Sequence, residues 1–129
     1  MIAPFPTDQV FIAGQWRAPA SGGVLPVENP STGEPMGALA AGGEDIDAAV
    51  QAARTALDGP WSRMTAAERG RVLARMGREV EARIDMLAQL EALDVGKPLK
   101  QARADVVALA RYLEFYAGAA DKLHGETIP

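Results

Sequence analysis

The chain has 129 residues, of which 48% are hydrophobic and 23% charged, and its net charge is −4. These values are typical of an ordinary globular domain with a core of its own. The basic residues form no clustered face, so we expect no nucleic-acid partner. No apolar run approaches the roughly 18–20 residues that cross a bilayer, so we expect no membrane partner.

Two further absences narrow the classes of function. The sequence contains no cysteine, which excludes a disulfide framework, a thiolate metal ligand and a thiol nucleophile within it. The first residues, Met1–Pro6, lack the basic and apolar regions of a secretory signal. We therefore expect a cytoplasmic protein.

The first third of the sequence predicts short strands. Residues 1–9 show no periodicity and read as an extended lead-in. Residues 10–41 predict a small β region with hairpin-like connections. Its features are a first strand region over Val10–Trp16 with a tight turn at Gly14–Gln15, a strand over Val24–Glu28, a turn over Asn29–Gly33, and a strand over Met36–Ala40.

From Asp45 onward the apolar residues recur with helical spacing, and four helices are predicted. Thr65 and Glu68 form a capping-box pattern, in which each side chain satisfies a free backbone donor at the start of the second helix. The first helix ends at Gly59–Pro60, the third is capped by Asp85 and ends at Gly96, and the fourth begins near Leu99.

The fourth helix is apolar over more than one face. Its main stripe includes Val106, Leu109 and Leu113, while Tyr112 and Phe115 lie well away from that stripe. A helix of this kind is usually buried between two layers. Residues 126–129 are expected to begin another extended segment.

Few residues offer chemistry by themselves. The glycines between Gly33 and Gly43 lie in the β region with the wrong spacing for a dinucleotide phosphate loop, which follows a strand and opens a helix. His124, the one imidazole, could act as a general base, but its place at a helix end favours a structural role. Asp94 and Asp105 could be functional carboxylates, but solvated or helix-bonding roles are the simpler interpretation of both.

Several motifs in order resemble the amino-terminal part of the aldehyde dehydrogenase family. The resemblance runs from Val10 to the end of the sequence. Its motifs are Phe11–Trp16, Glu28–Glu34, the helix at 48–54, Pro60–Trp61, Glu68–Arg69, Leu93–Pro98, and the helix end from Tyr112 to Gly125.

The resemblance implies an α/β family fold, of which this chain is the N-terminal part: short β hairpins followed by about four helices, mostly helical. Residues 10–129 would belong to the coenzyme domain. Family members oxidise aldehydes to acids with NAD or NADP, using a cysteine nucleophile, a glutamate that activates water and an asparagine in the oxyanion hole. All of these lie beyond the matched part, so no catalytic or cofactor-binding residue carries over.

The chain alone is therefore expected to be inactive. Its expected partner is the remainder of the enzyme, which would be a homo-oligomer when complete. The alternative is a free-standing helical module that descends from the enzyme and binds a protein partner.

Two minor sites carry over from the family onto matching positions. A structural monovalent cation would be held by backbone carbonyls near Val27 and Glu28 together with the carboxylate of Asp94. The substrate tunnel would be lined in part by Asp105 and Ala108, and the small side chain of Ala108 would leave a roomier tunnel.

Overall fold

A computed structural model of the protein describes residues 6–125. The described chain divides into two compact units. The hairpin unit comprises residues 6–62 with 93–96, and the helical unit comprises residues 63–92 with 97–125. The start of the lead-in and the extended segment expected at 126–129 lie outside the described residues.

Two antiparallel hairpins form the β region of the hairpin unit. Strands β1 (Val10–Ile12) and β2 (Gln15–Arg17) form one, and β3 (Val24–Glu28) and β4 (Pro35–Ala40) form the other. Asn29 and Glu34 close the second hairpin, since the Asn29 N–H donates to the Glu34 carbonyl at 2.9 Å. The hairpin-like connections predicted for residues 10–41 are confirmed.

The turn of the first hairpin lies one residue earlier than predicted. Ile12 pairs with Gln15, so the turn residues are Ala13 and Gly14 rather than Gly14 and Gln15. Both have positive φ, 53° and 79°, as the two-residue turn that matches strand twist requires. Gly14 adopts this conformation without strain, while Ala13 does not.

A buried carboxylate ties the hairpins to the first helix, α1 (Ile46–Leu57). Asp45, only 4% exposed, ends a short 3-10 turn immediately before α1. Its two carboxylate oxygens accept hydrogen bonds from the Arg17 guanidinium and the Ala20 backbone N–H, each at 2.9 Å. This carboxylate therefore joins three segments of the unit.

A second, four-residue helix follows α1, and it was not predicted. Gly59–Pro60 ends α1 as expected, but Pro60 also begins α2 (Pro60–Arg63). Proline is favoured at the first helical position because its fixed φ suits the helix and its missing N–H would have no partner there.

The helical unit is built on the close contact of α3 (Ala66–Glu81) with α5 (Leu99–Ala119). The capping box predicted for Thr65 and Glu68 is present at the start of α3. Gly70 and Gly77, both buried on α3, let the backbone of α5 approach. The close approach depends on the absence of a side chain at these two positions.

Residues 84–92 of helix α4 (Ile84–Val95) complete the unit. The helix begins at Ile84, so Asp85 lies in the first turn and does not cap the helix as predicted. A carboxylate there still stabilises the amino-terminal end of a helix, and Asp85 also accepts a hydrogen bond from Arg103. Ala88 of α4 packs with Ala102 and Val106 of α5 in the buried cluster of the unit.

Among the described residues, helices α3 and α4 pack on α5 and leave another side of it exposed. Val106 is 5% exposed, but Tyr112, Phe115 and Tyr116 are between 59% and 67% exposed. The second layer predicted for this helix is therefore not formed by the described residues. No helix among residues 6–125 is long and apolar enough to span a membrane.

Candidate functional site

An ion-pair cluster occupies the corner between α4 and α5. Lys97 follows the turn at Gly96, and its ammonium donates to the Glu91 carboxylate at 2.6 Å and to Asp105 Oδ2 at 2.7 Å. The second oxygen of Asp105 accepts a hydrogen bond from the Gln101 amide at 3.2 Å. Lys97 thus connects the last turns of α4 with the second turn of α5.

The cluster favours the charged forms of its members. The Asp105 carboxylate, and to a lesser extent Glu91, raises the pKa of Lys97 above its ordinary value of 10.5. The Lys97 ammonium lowers the pKa of Asp105 below 3.8, and the hydrogen bond from Gln101 adds a smaller effect in the same direction. Asp105 is therefore an ionised, hydrogen-bonded anchor, and nothing in these contacts makes it a proton acceptor near neutral pH.

The two residues assigned to a substrate tunnel lie within one turn of each other on α5. Asp105 is half-buried and held by Lys97, while Ala108 is exposed. Residues three positions apart share a face of a helix, so these two residues lie near each other on α5. Their role in a tunnel stays a prediction.

The segments that carry the predicted cation ligands are neighbours in the hairpin unit. Gly96, at φ 71°, lies against the Asn-Pro-Ser turn, since a Cβ built on it would be 3.0 Å from Pro30 Cγ and 3.4 Å from Ser31 Oγ. Asp94 precedes Gly96 by two residues, and Val27 and Glu28 precede Pro30.

Side chains alone do not form a metal site. In the described part of the chain, no three Asp, Glu or His side chains are grouped to bind a metal. The predicted cation therefore depends on backbone carbonyls near Val27 and Glu28, with Asp94 as the single carboxylate, and it stays a prediction.

The structure places the glycines between Gly33 and Gly43 in hairpins and a turn, and it places His124 on the surface. Gly33 and Gly37 belong to the β3–β4 hairpin, and Gly42 and Gly43 lead into the turn before α1. The described sheets are two antiparallel pairs, so these glycines do not link a parallel strand to a helix. His124 is exposed, beyond the end of α5.

Helix α5 carries an exposed aromatic stripe that includes Tyr112 and Phe115, the two residues that lie away from its main apolar stripe. We define the aromatic stripe as Ala108, Arg111, Tyr112, Phe115 and Tyr116, which line an open concavity of about 640 Å3. The rings of Phe115 and Tyr116 meet edge to face with centroids 5.2 Å apart. The signal was present, because these positions have the spacing of one helical face.

Comparison with known proteins identifies the class of fold. The solved structure of an aldehyde dehydrogenase from Burkholderia cenocepacia, described as putative, superposes with a TM-score of 0.87 at 60% identity, covering 92% of this chain and 25% of that one. The betaine aldehyde dehydrogenase of Staphylococcus aureus, solved in complex with NAD+, superposes with a TM-score of 0.87 at 33% identity, covering 95% of this chain and 25% of that one.

The sequence comparisons agree. The mitochondrial aldehyde dehydrogenase family 2 member B4 of Arabidopsis thaliana is 48% identical over 124 residues, which are 94% of this chain and 23% of the relative. The model of the aldehyde dehydrogenase family matches residues 16–129. The chain belongs to the aldehyde dehydrogenase family, and it spans about a quarter of the length of these relatives.

Proposed function

We propose that this chain is the N-terminal part of an NAD(P)-dependent aldehyde dehydrogenase that oxidises an aldehyde to a carboxylic acid. The observation that carries the proposal is the family match over residues 16–129, combined with coverage of only 23–25% of the relatives. The complete enzyme would be a homo-oligomer. The chain contributes structure around the coenzyme domain rather than reacting groups.

The reacting groups must come from elsewhere in the polypeptide. The sequence has no cysteine, so it supplies no thiolate to attack an aldehyde. The described residues also do not fit a dinucleotide, since the described sheets are antiparallel pairs and no described glycine lies between a parallel strand and a helix. The chain alone should therefore neither turn over aldehydes nor bind nicotinamide coenzymes.

The contribution of this chain to substrate binding would be made by α5. Lys97 and Gln101 donate hydrogen bonds to the two oxygens of Asp105. These bonds fix the position of the Asp105 side chain, one turn before Ala108. Ala108 presents a single methyl group, so a tunnel wall at this position would leave room for a bulky aldehyde. Ala108→Phe should then lower kcat/KM for bulky aldehydes more than for acetaldehyde.

The test is a fusion in which this chain replaces the matched N-terminal quarter of the Burkholderia cenocepacia relative. We expect aldehyde-dependent formation of NADH or NADPH by the fusion and none by the chain alone, measured against heat-inactivated controls. The unmodified relative, which keeps its own N-terminal quarter, provides the reference rate.

Two outcomes would contradict the proposal. Turnover by the chain alone would show that it carries its own catalytic groups. A fusion that folds and assembles like the reference but remains inactive would show that this chain does not serve a dehydrogenase, and would favour a free-standing interaction module.

A further inference from the structure

One ammonium is shared by two carboxylates at the amino-terminal end of α5. Lys97 Nζ lies 2.6 Å from Glu91 Oε1 and 2.7 Å from Asp105 Oδ2. In the described part of the chain, no other cation is paired with either carboxylate. Lys97 therefore offsets part of the negative charge of both, and its removal would leave both carboxylates without a cation.

The Asp105 carboxylate is oriented as well as paired. Its second oxygen accepts a hydrogen bond from the Gln101 amide at 3.2 Å, which fixes the direction of the carboxylate and leaves its charge unchanged. The Asp105 side chain is 42% exposed, and the Lys97 side chain is 28% exposed. The charge of Asp105 therefore acts on a molecule bound along this part of α5, and the partly covered ammonium offsets that charge more strongly than a fully exposed one would.

We propose that Lys97 sets the charge selectivity of the aldehyde tunnel, because it positions and offsets Asp105 so that the tunnel takes uncharged aldehydes rather than cationic ones. This inference rests on the proposed function, in which Asp105 and Ala108 line the tunnel. Moving a cation out of water is unfavourable unless a free anion pairs with it. Asp105 is already paired and the methyl group of Ala108 is uncharged, so this wall gives a cationic aldehyde no such compensation.

Two aldehydes of the same shape separate this role from a purely structural one. Trimethylammonioacetaldehyde and tert-butylacetaldehyde differ only in a quaternary nitrogen, which is charged, and a quaternary carbon, which is not. If Lys97 only held α4 against α5, its loss would change kcat/KM for both aldehydes equally. A change in the ratio of the two values of kcat/KM, cationic to uncharged, therefore reports on charge selection alone.

The experiment uses the fusion of this chain with the remainder of the Burkholderia cenocepacia relative. The ratio should lie below one in the unsubstituted fusion. Lys97→Met should raise it on the order of fivefold, the effect of one unit charge several ångströms away in partly shielded surroundings. The change should fall on KM more than on kcat, because Asp105 acts on binding and not on the reacting atoms.

Two conservative variants separate the loss of charge from the loss of packing. Lys97→Arg keeps the positive charge and the donors, so it should keep the ratio of the unsubstituted fusion. Lys97→Gln removes the charge but keeps one hydrogen-bond donor, so it disturbs the corner less than methionine does and should raise the ratio in the same direction. Lys100→Met is the matched control, because Lys100 is exposed and makes no ion pair among the described residues.

Asp105→Asn shows whether Lys97 acts through Asp105. It removes the charge with little change of shape, so it should lower the ratio. In that background Lys97→Met should raise the ratio by less than it does when the carboxylate is present, because substitutions that act through one contact are not additive.

Four results would overturn the proposal. The first is an unsubstituted fusion that prefers the cationic aldehyde. The second is an unchanged ratio in Lys97→Met and Lys97→Gln, which would leave Lys97 a structural role only. The third is an equal rise in Lys100→Met, which would attribute the effect to any loss of positive charge. The fourth is an effect of Lys97→Met that is the same with and without the Asp105 carboxylate.

The failure of this inference is distinguishable from the failure of the proposed function. An active fusion whose ratio does not respond to Lys97 would retain the dehydrogenase and reject only the charge selection. A fusion that folds and assembles but oxidises neither aldehyde would reject the dehydrogenase, and the charge selection with it.

Discussion

Gly70 of α3 lies directly against the backbone of α5 at Ala117. A Cβ built on Gly70 would be only 2.5 Å from the Ala117 carbonyl oxygen and 3.3 Å from the Ala120 Cβ. A backbone carbonyl cannot rotate aside as a flexible side chain can. The two helices pack at this distance because position 70 has no side chain.

Gly70→Ala should therefore destabilise the helical unit by about 1–3 kcal/mol, the usual effect of overpacking, despite the better helix propensity of alanine. Urea unfolding followed by tyrosine fluorescence measures this, because both tyrosines lie in that unit. Gly118→Ala is the control. Gly118 has open space around a built Cβ, so alanine there should stabilise the helix by about 0.5–1 kcal/mol.

The amount of this fold that the sequence predicts depends on how local each signal is. Thr65 and Glu68 are three residues apart, and their capping box follows from the chemistry of one helix end. The turn at Ala13–Gly14 was misplaced by one residue because the cross-strand pairing of Ile12 with Gln15 fixes it. A glycine in the sequence does not by itself indicate whether the residue before it or the residue after it is the other residue of a two-residue turn.

Contacts between residues on different elements were less predictable, because no local sequence signal indicates them. Lys97 and Asp105 lie eight residues apart across a corner, a spacing that no single helix brings together. The amphipathic pattern of α5 indicated more than one apolar face, but it does not show which of these faces the neighbouring helices cover. The packing of α4 buries Val106 and leaves Tyr116 exposed.

The capping box at the start of α3 should give the helical unit a measurable acid sensitivity. Hydrogen bonds from the Thr65 backbone N–H and hydroxyl lower the pKa of Glu68 below its ordinary value of 4.5. A carboxyl with a depressed pKa in the folded state contributes stability above that ordinary value and loses it as the pH falls through the folded pKa. Glu68→Gln should remove this part of the acid sensitivity, as measured by thermal unfolding between neutral and acidic pH.

Thr65→Ala tests the other half of the same box. It should cost about 1 kcal/mol, and in that background Glu68→Gln should have a smaller effect, because Glu68 then keeps only its hydrogen bond from the backbone N–H of residue 65. Full additivity of the two substitutions would show that the box does not act as a unit.

The Lys97 cluster should stabilise the corner between α4 and α5 over a wide range of pH. The raised pKa of Lys97 makes its contribution present below about pH 10.5 and lost at higher pH. The lowered pKa of Asp105 makes its contribution present above about pH 3.8 and lost as the pH falls further. Lys97→Met should therefore lower the Tm modestly at neutral pH and much less at strongly acidic pH.

Lys100→Met is the control for Lys97→Met, because Lys100 is exposed and makes no ion pair among the described residues. An equal fall in Tm for both substitutions would mean that the cluster contributes nothing beyond the loss of one charge.

The buried carboxylate of Asp45 should be the strongest polar contributor in the hairpin unit. Asp45→Ala leaves the Arg17 guanidinium and the Ala20 N–H without their acceptor, and should cost about 1.5–3 kcal/mol. Tryptophan fluorescence during urea unfolding reports on this unit, since Trp16 and Trp61 both lie in it. Asp47→Ala, on the exposed first turn of α1, should cost at most about 1 kcal/mol.

The predicted cation site makes a final, separable prediction about Asp94. Gly96 packs against Pro30 and Ser31. The segment that carries Asp94 is therefore held near the segment that carries Val27 and Glu28. Hard cations bind carboxylate and carbonyl oxygens, and a bound ion stabilises the folded state according to its concentration and affinity.

The Tm of the chain should therefore be higher in potassium or sodium chloride than in choline chloride at equal ionic strength, and Asp94→Ala should remove the difference. Asp58→Ala, which removes an exposed carboxylate at the end of α1, should preserve it. An unchanged Tm across the three salts in the unsubstituted chain would exclude a cation at this position.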